Sequence, residues 1–126
     1  MNEERENIIV TKSYAFALKI IGLYKSLIDK KEYVISKQIL RCGTSIGANI
    51  HEAIASPSKK DFVYKLSTAA KEARETLYWL SLLKDSDYIS QKQFLELNND
   101  CNELLKILNS IILTTKDRYF PGIHNS

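Results

Sequence analysis

Apolar residues along the first third of the chain recur at helical rather than strand spacing. From Val10 they run Val10, Tyr14, Ala17, Ile21, Tyr24 and Ile28, while Phe16, Ile20, Leu23 and Leu27 form a second register beside them. A single such stripe serves one bundle core. Two adjacent stripes predict a helix over 7–30 that is either wedged between two others of its own chain or reaches a neighbour outside it. A second helix, over 32–55, carries Ile35, Ile39, Cys42, Ile46, Asn49 and Ala53 on one seam. Within it, Gly43 and Gly47 stand four apart beside Ala48, a low profile that lets another helix backbone come close. Glycine costs about 1 kcal/mol relative to alanine inside a helix, so close packing is the expected compensation. Asn49 is the polar member of the seam; it either hydrogen-bonds a neighbour and fixes register, or marks a helix rotated far enough to expose it.

Ser56-Pro57-Ser58 breaks the pattern. Ser58 with Asp61 resembles a capping box, and Ser90 with Gln93 matches one in full. Between these starts, Phe62, Leu66, Ala69, Ala73, Thr76, Leu80 and Leu83 predict a third helix over 59–84, stopped by Asp85-Ser86-Asp87. Phe94, Leu97, Cys101, Leu104, Leu108 and Ile111 predict a fourth over 91–115. Four amphipathic helices of roughly 35–40 Å with short connections predict an all-α, up-down-up-down antiparallel four-helix bundle in one domain spanning 1–126. Residues 116–126 lose the period. The apolar Tyr119-Phe120-Pro121 leaves docking and disorder both open.

Composition fits this reading. A chain of 126 residues with 44% hydrophobic content is one domain with enough core to stand alone. Four Gly and two Pro are few, which favours long elements. The net charge of +3 permits nucleic acid without demanding it. Cys42 and Cys101 are far apart among apolar neighbours, so buried free thiols in a reducing compartment are expected, not a metal or redox pair. The start of the sequence is acidic and has no apolar signal-like run, and no stretch approaches 18 apolar residues, so the expectation is a cytoplasmic protein.

Two spellings look enzymatic. Gly43-Thr44-Ser45-Ile46-Gly47 satisfies G-x-S-x-G, but that chemistry requires a strand-to-helix turn, and the motif sits within a helical period. His51-Glu52 begins H-E-x-x-H, yet position 55 is alanine. No Glu precedes a His by three, and no glycine-rich loop opens a helix as in a phosphate-binding loop. The expectation is a non-enzymatic protein without a metal or cofactor.

The positions opposite the core of the third helix carry more information. Lys60, Tyr64, Ser67, Lys71, Arg74 and Tyr78 follow one another at helical spacing, and each can contact nucleic acid by charge, stacking or hydrogen bonding. On the first helix Arg5, Lys12 and Lys19 fall seven apart. Residues 1–85 carry 14 Lys/Arg against 10 Asp/Glu, and 86–126 carry 4 against 5, so the basic bias lies in the first three helices. The same stripe also suits a subunit interface, or a solvated face on which Glu72 and Glu75 pair locally with its cations.

Arg41, the run Ser45–Ala53 (SIGANIHEA), Ser58–Phe62 and Lys65–Leu80 (KLSTAAKEARETLYWL) resemble the bacterial four-helix-bundle proteins encoded in intervening sequences of 23S ribosomal RNA genes. The resemblance spans about Lys12–Thr114, with Ser45, Ile46, Ala48, Asn49, Ile50 and Glu52 matching its core motif. Many members have Gly where Ala53 stands here, and a Phe-Pro pair before the second helix that this chain lacks, which suggests a sub-branch. The related accessory variability proteins of diversity-generating retroelements form basic pentameric barrels that engage a reverse transcriptase and nucleic acid. The resemblance therefore implies a homo-oligomer, by analogy a pentamer, with possible RNA, DNA or protein partners and no established enzymatic role. Arg41, Gly43, Ser45, Gly47, Asn49 and Glu52 are the candidate helix-packing and assembly residues. Lys60, Tyr64, Lys71, Arg74 and Tyr78, with Lys12 and Lys19, are the candidate nucleic-acid contacts.

Overall fold

The computed structural model describes residues 2–122. It is an all-α antiparallel bundle of α1 (Asn2–Asp29), α2 (Ile35–Ile54), α3 (Lys59–Asp85) and α4 (Gln91–Tyr119). Each helix packs on its sequence neighbours, and α4 closes the ring on α1. Cross-helix pairs reveal the direction. Arg5 meets Ser110 and Thr114, Lys12 meets Glu103, and Lys19 meets Glu96, so α4 numbers fall as α1 numbers rise.

Local chemistry sets the helix ends. Lys31 and Asp87 adopt left-handed φ of 64°, without being glycine. Around them the Glu32 N–H donates to the Leu27 carbonyl and the Tyr88 N–H to the Leu83 carbonyl, the six-to-one bonds of Schellman caps. The second helix starts later than its sequence pattern suggests. Residues 32–34 are absorbed by the turn, and the Glu32 carboxylate accepts from the Ser36 N–H at 2.6 Å, capping the helix from outside. Ser90 and Gln93 complete the reciprocal capping box. Ser58 accepts from the Asp61 N–H, but Asp61 answers to the serine hydroxyl and not to its backbone. At the other end α4 runs on through Tyr119, whose ring lies 5.1 Å from the Lys59 ammonium at the start of α3. The sequence residues 116–119, expected beyond the last helix, are therefore its final turn.

The core resolves the ambiguity of α1. Ile9, Phe16, Ile20, Leu23 and Leu27 are buried, whereas Val10, Tyr14, Leu18 and Ile21 face outward, with Tyr14 69% and Leu18 54% exposed. The second register faces the bundle, while Ala17, Tyr24 and Ile28 of the first are half-buried at its edge. Cys42 and Cys101 are buried as expected. Burial pushes the Cys101 thiol up to about 12 and raises that of Cys42, so both stay protonated at neutral pH. Cys101 donates to the Ala73 carbonyl, and the Thr76 hydroxyl lies 3.2 Å from the Cys42 sulfur.

The two α2 glycines face α1 of the same chain. A Cβ added at Gly43 would stand 2.8 Å from Ile20 Cγ1, and one at Gly47 would lie 3.4 Å from Ser13 Oγ. Ile20 is β-branched and stiff at χ1, so it cannot swing away. Gly43→Ala should therefore lose about 1–3 kcal/mol of unfolding free energy by overpacking, outweighing its gain in helix propensity. Gly22, on an exposed α1 position with nothing within 4 Å of an added Cβ, is the control: Gly22→Ala should gain about 0.4–1 kcal/mol. Urea denaturation of both variants measures the opposite signs.

Candidate nucleic-acid interface on helix 3

Because Phe62, Leu66, Ala69, Ala73 and Leu80 point into the core, the opposite face of α3 must point to solvent. Lys60, Tyr64, Lys71, Arg74 and Tyr78 are all exposed there, and Ser67 is half-buried. Tyr64 is 68% and Tyr78 58% accessible. Among the described residues no ion pair involves Lys60, Lys71 or Arg74.

The acids that could have neutralised this face turn aside. Glu72 and Glu75 do not pair along α3; both reach the Arg41 guanidinium on α2. Glu75 also accepts from the Trp79 indole N–H at 3.0 Å. That hydrogen bond and then Arg41 hold the Glu75 carboxyl below its usual range, against partial desolvation. Farther along the same seam Lys65 pairs with Glu52 at 2.8 Å. Arg41 and Glu52 thus work as α2–α3 clamps.

The basic line of α1 has a different fate. Lys12 pairs with Glu103 at 3.1 Å, and Lys19 with Asp100 at 2.7 Å and Glu96 at 3.0 Å. Asp100 and then Glu96 raise the Lys19 ammonium above its ordinary pKa. These two lysines lace the α1–α4 seam and are not free cations. Glu96, Asp100 and Glu103, spaced four and three apart, are the sequence signal that would have revealed the pairing.

The remaining motif residues are structural. Gly43, Ser45 and Gly47 lie inside α2, so the G-x-S-x-G spelling has no strand-to-helix turn around it. Asn49 is half-buried and donates to the Ser45 carbonyl at 2.9 Å, within its own helix; it does not bridge to another. His51 is exposed, His124 lies outside the described residues, and among the described residues no group of three His, Cys, Asp or Glu could hold a metal. No helix among them is long and apolar enough to cross a membrane.

A groove of about 490 Å³ runs between α1 and α2, beside the exposed apolar residues of α1. Val10, Tyr14 and Ala17 form one wall; Thr44, Gly47, Ala48 and His51 form the other. The spacing assigned the glycines to helix packing and assembly, and Gly43 and Gly47 pack on Ile20 and Ser13 of α1 in the same chain. The outward register of α1, rather than Gly43, is what a neighbour can reach.

With this arrangement in view, the model of the 23S rRNA-intervening sequence protein family matches residues 5–110. The chain belongs to that family. A solved structure from Bacteroides thetaiotaomicron VPI-5482, described as a protein with unknown function from the S23 ribosomal protein family, is 52% identical. It superposes with a TM-score of 0.85, covering 86% of this chain and 97% of its own. No curated protein matches the chain.

The Glu75 cluster carries a pH signature common to folded carboxylates with depressed pKa. Its stabilisation is complete above the unfolded pKa, near 4.5, and is lost as pH falls through the lower folded value. Glu75→Gln should therefore flatten the acid limb of stability as pH falls below the unfolded value near 4.5, read by urea unfolding at each pH.

Proposed function

We propose that this family member is a non-enzymatic, homo-oligomeric accessory protein that binds RNA or DNA through the outer face of α3, as part of a ribonucleoprotein. The observation that carries the reading is the set of three unpaired cations, Lys60, Lys71 and Arg74, interleaved with two exposed tyrosines on one helix face. Long side chains ending in unpaired charge contact phosphates without reading sequence, so the binding is electrostatic and weakly specific. The match to a family described by 23S rRNA intervening sequences supports a nucleic-acid context.

Assembly is assigned to the outward register of α1. Val10, Tyr14, Leu18 and Ile21 make a continuous apolar strip that a second copy would cover, and the resemblance to pentameric barrels suggests five copies. The second reading starts from the same strip: an adaptor that recruits a protein, such as a reverse transcriptase, and binds no nucleic acid. Size exclusion with light scattering should give an oligomer, and Leu18→Asp should shift it to monomer. A monomeric wild type would overturn this assignment.

For nucleic acid, the chain should bind a labelled oligonucleotide at 50 mM salt. Replacing Lys60, Lys71 and Arg74 together with Ala should weaken binding and reduce the slope of log affinity against log salt by roughly 2–3, at about 0.7–0.9 per lost phosphate contact. Unchanged affinity and slope in the triple variant would contradict the α3 assignment. No affinity at all would favour the adaptor.

A further inference from the structure

We propose that the Lys60–Tyr78 face takes unpaired, single-stranded nucleic acid, with Tyr64 and Tyr78 serving as two stacking platforms on either side of Lys71 and Arg74. The proposal rests on the electrostatic reading of this face and adds the form of nucleic acid that it accepts.

The tyrosines have no internal task that explains their exposure. Neither phenol hydroxyl takes part in a side-chain hydrogen bond among the described residues, and the Tyr64 ring has no ring or cation partner there. Cations alone would suffice for a phosphate backbone, whether paired or unpaired. Exposed rings add affinity only where a base can leave its own stack and lie on them, as in single strands.

Tyr78 is also held in place. Its ring meets Trp79 edge-on, with centroids 5.2 Å apart and planes at 67°. Trp79 is fixed in turn by its hydrogen bond to Glu75, and Glu75 by Arg41. A relay from α2 thus orients a surface ring on α3, so less side-chain freedom is lost when a base lands on it.

Spacing fits the same ligand. Tyr64 and Tyr78 are separated by 14 residues of unbroken helix, about 21 Å along the axis. An unstacked single strand is longer per nucleotide than the roughly 3.4 Å of a duplex strand, so it covers that distance in about six nucleotides or fewer. The guanidinium of Arg74 and the ammonium of Lys71 lie between the rings, where the intervening phosphates would pass. Duplex fits less well. A major groove about 12 Å wide admits a lone helix, but α3 is flanked by α2 and α4 along its length and does not project as one.

The test is fluorescence anisotropy of the full chain at 50 mM salt with a labelled ten-nucleotide single strand and with the same strand in duplex. The single strand should bind at least tenfold more tightly. Tyr64→Ala and Tyr78→Ala should each weaken single-strand binding roughly tenfold and leave duplex binding unchanged. Tyr64→Phe and Tyr78→Phe should retain wild-type affinity, because the ring and not the hydroxyl carries the contact. Circular dichroism of each variant checks that the bundle is intact. Trp79, the only tryptophan, should change emission on adding single strand, and this change should be lost in Tyr78→Ala. Equal affinity for both forms, with silent tyrosine variants, overturns the stacking proposal while leaving electrostatic binding in place. Affinity that the triple cation variant does not reduce overturns the underlying reading as well.

Discussion

The missing side chain at Gly43 sets how closely α2 can approach α1, and much of the surface follows from that approach. Ile20 occupies the space where a Cβ would stand, and Gly47 lies against the Ser13 backbone one turn further on. With Ile20 committed to α2, the register containing Phe16, Leu23 and Leu27 must turn inward. Val10, Tyr14, Leu18 and Ile21 are then left outside. A small residue inside the bundle thereby creates a large apolar strip on its surface.

Electrostatics sorts the remaining surface. Interhelical pairs occupy Lys12, Lys19, Arg41 and Lys65, and draw in the acids of α2, α3 and α4 that lie nearest to them. Exposed pairs of this kind are individually worth little, about 0–1 kcal/mol. Their larger effect is on which charges remain available. Arg41 takes the ion pairs of Glu72 and Glu75, although Lys71 still lies close enough to help lower the Glu75 pKa, so Lys71 and Arg74 stay without an ion pair of their own on the outer face. The modest net charge of the chain therefore understates the local field on α3.

The four helices, the Ser90–Gln93 cap and the buried state of both cysteines were legible from spacing alone, because helix formation and burial depend on local period. Partnership was not. Two apolar registers on α1 looked equivalent in sequence, and only the position of Gly43 on a neighbouring helix decides between them. Glu72 and Glu75 lie at pairing distance from α3 cations in sequence, yet a guanidinium on α2 holds both. Lys12 and Lys19 looked like a free basic line because the matching acids, Glu103 and Asp100, lie 91 and 81 residues away in the chain. For Tyr119 docking and disorder were both left open by the fading apolar period; it ends α4, and its contact is with a cation, Lys59. In each case the missing information was which helix faces which.

We propose that α3 rather than α1 meets nucleic acid. Ultraviolet crosslinking of a labelled single-stranded oligonucleotide to the chain, followed by mass mapping of the adducted peptides, tests it most directly. Adducts on the peptides containing Tyr64 and Tyr78 are the predicted result. Adducts confined to the Tyr14 region of α1, with α3 unmodified, would contradict it.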